Sequence, residues 1–223
     1  MLGATLMISQ SFLYNAVFFS YSMMLVRFFD VAPSATAVYL VPFAVGNLLG
    51  LLVLGHLFDR IGRRKMIARC YGLAGGLLAL SAVLFGLGGL TAVTQTLAWC
   101  VVFFFASAGA SAGYVTVSEI FPMEVRAKAI AIAFALAQTA GSAAPLLYGA
   151  LIDTAEPNRA SLTIGLLVGA AFMGAGAVVA RHLGVDAERR PLESIAPPFA
   201  VRAATGDGID HDSPDSPNRG VRQ

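Results

Sequence analysis

"GHLFDRIGRRKM", residues 55–66, sets five basic side chains and one aspartate between two long apolar runs. That contrast decides the fold class. Of all 223 residues only 13% are charged and 57% are hydrophobic, with a mean hydropathy of +0.73. Soluble domains carry about a quarter charged residues. A chain this poor in charge that gathers its cations in one connector has the composition of a membrane protein whose loop stays in water. Gly55 and Gly62 fit close approach and a tight turn between two antiparallel helices.

Working outward, apolar runs of roughly the 20 residues that a span requires occupy about 3–26, 37–58, 67–89, 94–118, 129–152 and 161–183. The sequence therefore predicts six transmembrane helices over 1–184. A polar cytosolic tail occupies 185–223, too poor in apolar residues to fold from about residue 196. If the 59–66 connector is cytosolic, alternate connectors share its side. Only Arg27 and Arg159 of the 15 Lys and Arg residues then lie outside, which leaves 13 inside. An asymmetry of that size predicts cytosolic termini in a multi-pass protein of the plasma or inner membrane. The first run is too long for a signal-peptide core and lacks its basic flank. Cys70 and Cys100 lie in apolar runs without metal-ligand spacing and read as small core residues. No metal, cofactor or nucleic acid is expected. Trp99, near a helix start, fits an outer aromatic belt.

The spacing Gly55-x-x-x-Asp59-Arg60-x-Gly62-Arg63-Arg64-Lys65 resembles the loop signature of the major facilitator superfamily. "SEIFPMEVRAK", residues 118–128, resembles the corresponding element of its sugar-porter branch, with Glu119, Phe121, Pro122 and Arg126 on matching positions. "QSFLYNAVFFSY" (10–21) is similar to that branch's seventh helix, and "RRPLESI" (189–195) to the segment after its last helix. The resemblance covers nearly all of residues 1–195 and is to the C-terminal half only. It implies an all-α membrane protein, six helices forming one 3+3 inverted-repeat half of a major facilitator fold. The implied partners are the lipid bilayer, a small-molecule solute and a missing N-terminal half, from the same gene or a second chain. The implied activity is alternating-access transport of a small polar solute, proton-coupled in the full-length carrier. Where the branch carries Gly-Pro-x-Pro-Trp, residues 108–114 read "AGASAGY", so the solute is a sugar or an organic-acid-like metabolite. Gly55, Asp59, Arg60, Gly62, Arg63, Arg64, Glu119, Pro122 and Arg126 are the implied cytosolic gate. The simpler reading of the basic cluster is a positive-inside anchor.

On the first helix Gln10, Ser11, Tyr14, Asn15, Tyr21 and Ser22 fall within an arc of about 140° at 100° per residue. Polar groups in hydrocarbon are costly unless paired, so this stripe should face a partner or a water-filled cavity. The resemblance implies solute contact at Gln10 and Asn15. Tyr14, Asn47, Tyr114 and Gln138 are further candidates, with helix-to-helix hydrogen bonding as the alternative role. The pairs Gly46/Gly50, Gly109/Gly113 and Gly165/Gly169 are small-xxx-small contacts between helices. No Asp, Glu, Lys or Arg sits in the middle of a span, so the chain alone shows no coupling chemistry, and the resemblance implies that the coupling carboxylate lies in the missing half. The alternative function is a truncated half with no transport of its own. An intramembrane protease needs a serine–histidine or paired-aspartate set at depth, which these runs lack.

Overall fold

A computed structural model describes residues 2–120, 123–152 and 158–183, without the side chains of residues 59, 117–120, 123 and 124. Among the described residues there are six long helices and no strands. They are α1 (Leu2–Phe29), α2 (Thr36–Ile61), α3 (Arg63–Gly86), α4 (Ala92–Ile120), α5 (Met123–Ile152) and α6 (Arg159–Leu183). Each is long and apolar enough to cross a membrane. Even the 24 residues of α3 reach about 36 Å, beyond the roughly 30 Å of hydrocarbon.

The connectors are shorter than the charge pattern predicts. Residues 59–66 are almost wholly helical, and Gly62 alone separates α2 from α3. It adopts φ 103, ψ 128, a region open to glycine at little cost. Its N–H bonds back to the Phe58 carbonyl at 3.3 Å, and its own carbonyl receives Met66 N–H at 3.0 Å. Charged residues thus lengthen the helices past the hydrocarbon instead of forming a loop, because the turn needs only one residue. At the other end of the bundle, Gly88 (φ 72) closes α3 while Gly89 N–H reaches the Leu84 carbonyl at 3.0 Å. Thr91 and Thr94 cap the start of α4 reciprocally, at 2.8 and 3.3 Å. Asn158 caps α6 through Ala160 N–H at 2.8 Å.

Packing follows a two-fold rule that exchanges α1–α3 with α4–α6. As α1 lies on α5, so α4 lies on α2; as α3 lies on α4, so α6 lies on α1; α3 and α6 pack on each other. The bundle is thus a 3+3 inverted repeat, with α1 and α4 central. Lipid offers no hydrophobic drive for helices to associate, so small residues must let backbones meet and gain dispersion. A Cβ on Gly46 would lie 2.8 Å from the Cys100 carbonyl oxygen, and one on Gly50 would overlap the Phe104 carbonyl. On the symmetric side, Gly141 of α5 lies against Ser11 and Asn15 of α1. Gly165 and Gly169 receive the Tyr148 ring, whose hydroxyl donates to the Gly165 carbonyl at 2.6 Å.

Three expectations change. Gly55 mediates no close approach: a Cβ there meets nothing within 4 Å, because α2 and α3 diverge from their turn and each packs on α4. Trp99 is not in an aromatic belt. It is 1% exposed, donates to Ser81 Oγ at 3.3 Å and lies 5.0 Å from the Tyr21 ring. Tyr21 leaves the polar stripe for the same cluster, fully buried and hydrogen-bonded to Thr96. Thr96 and Ser81 satisfy the two polar tips within the core, so neither aromatic residue needs the interface. Cys70 is buried and both cysteines are free, as expected of small core residues.

Arg159 ties three helices at the end opposite Gly62. Its guanidinium donates to the Phe28 and Phe85 carbonyls at 3.1 and 3.4 Å and lies over the Phe29 and Phe85 rings. These carbonyls belong to the last turns of α1 and α3, where a cation is favoured. Arg159→Gln should lower the thermal midpoint in detergent, a loss of about 1–2 kcal/mol from charged hydrogen bonds and ring contact. Arg159→Lys, which keeps charge without the planar fork, should recover part of it. Equal midpoints for wild type and Gln variant would show the contact to be incidental.

Candidate functional site

The packing that buries α1 against α5 and α6 leaves its polar residues facing the groove where α1 meets α4. Two recesses open there around mid-depth. One, of about 320 Å³, is lined by Gln10, Ser11, Tyr14 and Asn15 of α1, Tyr114 of α4, and Phe134 and Gln138 of α5. The other, of about 280 Å³, shares Gln10, Tyr14 and Tyr114 and adds Asn47 of α2 with Ser107 and Ser111 of α4. All six solute-contact candidates, Gln10, Tyr14, Asn15, Asn47, Tyr114 and Gln138, therefore line one continuous region. The shared residues make it a single site flanked by α2 on one side and α5 on the other.

The side chains are cross-linked as well as exposed to the recess. Tyr14 donates to Asn47 Oδ1 at 2.8 Å, joining α1 to α2. Ser11 donates to Gln138 Oε1, joining α1 to α5. Gln10 of α1 and Tyr114 of α4 line both recesses. Asn15 Nδ2 folds back on the Ser11 carbonyl at 2.8 Å and its hydroxyl at 3.1 Å. Contact and helix bonding are thus compatible roles, because an amide has separate donor and acceptor ends. The bonds to Asn47 and Gln138 use their oxygens. Among the described residues no partner is recorded for Nδ2 of Asn47, Nε2 of Gln138 or Oδ1 of Asn15. The recess therefore presents two amide donors and an acceptor on fixed supports.

Aromatic faces complete it. Phe18 stacks on Tyr14 at 6.0 Å and Phe134 lies 6.4 Å from Tyr114. Ser107, Ser111 and Phe134 are not singled out by sequence, and Phe18 is marked only by the resemblance of its helix. A serine or phenylalanine in an apolar helix carries no mark of the face it occupies, and only the approach of α4 and α5 to α1 selects these four.

The gate residues are described in part. Arg63 is half-buried and shares a cavity of about 200 Å³ with Gly55, Phe58 and Ser111. Gly55 therefore borders open space at this end. Arg64 Nε and Nη2 both donate to the Arg181 carbonyl, at 2.8 and 2.6 Å, fastening α3 to the last turn of α6. Arg60 is exposed and Arg126 half-buried near the start of α5. The side chains of Asp59 and Glu119, and Pro122, lie outside the described residues, as does the tail over 184–223.

Six spans related by an inverted repeat, with a polar recess between its central helices, define one half of a major facilitator fold. The family model described as "Sugar (and other) transporter" matches residues 1–183, and the chain belongs to that family. No curated protein matches the chain closely enough to add a named relative.

Proposed function

We propose that this bundle is the C-terminal, sugar-porter-like half of an alternating-access carrier for a neutral, polyhydroxylated solute. The observation that carries this is the lining itself: among the described residues the two recesses hold amides, hydroxyls and aromatic faces, and no charged side chain. A sugar hydroxyl both donates and accepts, which suits paired amide donors and acceptors. Its C–H faces suit aromatic walls. A carboxylate cargo would require a compensating cation, since an unpaired charge at this depth is expensive.

The open side of the recess, edged by exposed apolar residues of α2 (Val41, Val45, Leu48, Leu52) and α5 (Ile132, Leu136), is where the other half would dock. With no carboxylate, histidine, lysine or arginine in the lining among the described residues, proton coupling would be supplied by that half. The Gly62 end, rich in Lys and Arg, would face the cytosol. Its residues Asp59, Arg60, Arg63, Arg64, Glu119 and Arg126 would act as a latch, a network being needed because single exposed pairs contribute about 0–1 kcal/mol. The one-sided recess also supports a second reading, that the bundle has no independent transport.

The test is uptake by the chain co-reconstituted with its complementary half, over a panel of neutral sugars, polyols and organic anions. Asn47→Ala and Gln138→Ala should each raise the half-saturating concentration of the neutral cargo about tenfold, the loss of one good hydrogen bond. If they lower thermal stability and leave half-saturation unchanged, these amides bond helices only. Faster uptake of an organic anion than of any neutral solute would overturn the cargo class. Uptake by the chain alone would overturn the requirement for a second half.

A further inference from the structure

Away from the polar recess, α3 and α6 flank a half-open cavity of about 620 Å³ at the Gly62 end, lined by Arg64, Lys65, Arg69 and Arg181 over a floor of Ala68 and Val178. The cavity is built: the double hydrogen bond from Arg64 to the Arg181 carbonyl holds the start of α3 to the end of α6. Lys65 and Arg69 stand four residues apart on one helix face, and like charges in that relation repel. Arg181 adds a third exposed cation from α6. Among the described residues, no acidic side chain lines the cavity. The convergence of Lys65, Arg69 and Arg181 is stabilised by an anion, and guanidinium forks match the oxygens of a phosphate group.

We propose that this cavity binds a phosphate-bearing anion, the headgroup of an acidic glycerophospholipid. The surface beside it separates that source from a free phosphate. Gly72 and Gly76 are exposed on α3, and Gly174 is half-buried on α6. A Cβ at Gly76 or Gly174 would meet nothing within 4 Å. Exposed Leu73 and Leu80 on α3 and Ile164 on α6 border the same two helices. The charged pocket thus lies at the end of two membrane-spanning helices whose surface further along is exposed and apolar, a face suited to an acyl chain, and free phosphate has no use for that face.

The experiment uses the full chain in detergent, with phosphatidylglycerol, phosphatidylcholine or inorganic phosphate added separately. Retained lipid is read by native mass spectrometry and stability by thermal unfolding. Phosphatidylglycerol should be retained and raise the midpoint, with phosphatidylcholine and inorganic phosphate near baseline. The R69Q/R181Q variant should bind phosphatidylglycerol roughly thirtyfold more weakly, the summed effect of two juxtamembrane basic groups. Lys128→Gln, which removes an exposed charge on α5 outside the cavity, should bind as wild type. R69Q/R181Q and Lys128→Gln binding alike would overturn the site. Inorganic phosphate stabilising as well as the lipid would overturn the lipid source and assign the pocket to soluble phosphate esters.

Discussion

Tyr71→Ala should remove about 3 kcal/mol from the folded bundle, the low end of the large-aromatic range, because the water-to-core transfer term does not apply between helices in lipid. The ring of Tyr71 is fully buried in α3. It fills notches left by Gly109 of α4 and Gly176 of α6, where an added Cβ would lie 2.8 Å from ring carbons. Its hydroxyl donates to the Leu6 carbonyl of α1 at 3.1 Å. One side chain therefore joins four helices. The alanine variant leaves a void between backbones that glycine has already drawn close and that cannot close further. Tyr71→Phe keeps the ring and should cost about 1 kcal/mol, the net value of one hydrogen bond. Thermal unfolding in detergent separates the two. Equal losses would mean that the hydroxyl, and not the ring, holds the junction.

The second large effect comes from adding a single methyl group. Gly50→Ala would place its Cβ within the Phe104 carbonyl and 2.5 Å from Ser107 Oγ. The first of these is backbone, so no rotamer relieves it, and α2 must move off α4. Overpacking costs about 1–3 kcal/mol when side chains can shift, and this contact should reach the top of that range. Displacing α2 also carries Asn47 away from Tyr14, so solute affinity should fall together with stability. Gly55→Ala, five residues along the same helix, meets open space and should gain about 0.5–1 kcal/mol from helix propensity. Parallel midpoints for the pair would contradict the close α2–α4 contact.

The two glycines show how much of the fold was legible. Both sit in the same apolar run, Gly55 in the loop signature and Gly50 in the Gly46/Gly50 small-xxx-small pair, and both read as positions of close approach. Yet Gly50 makes the close contact and Gly55 none. Motif membership marks a position without saying which helix comes to meet it. The solute-contact candidates were more legible. Gln10, Tyr14, Asn15, Asn47, Tyr114 and Gln138 are polar groups that hydrocarbon penalises, so each had to face protein or water, and the structure gathers all six. Tyr21 and Trp99 misled because an aromatic residue with a polar tip is equally at home at an interface or in a core with one partner. Thr96 and Ser81, which decide between those outcomes, come from other parts of the chain.

By itself the sequence determined that the chain has six spans, where they break, that Gly62 turns the chain, and which polar side chains cannot face lipid. Each of these rests on local hydropathy, charge or backbone freedom. Tertiary structure alone decided which face of each helix packs, since lipid-facing and protein-facing surfaces are both apolar and no period in the pattern separates them. It also decided that Ser107, Ser111, Phe18 and Phe134 complete the recess, and that Arg64 reaches Arg181 across a separation of 117 residues. Backbone approach at glycines sets those contacts, and approach is a property of two helices together.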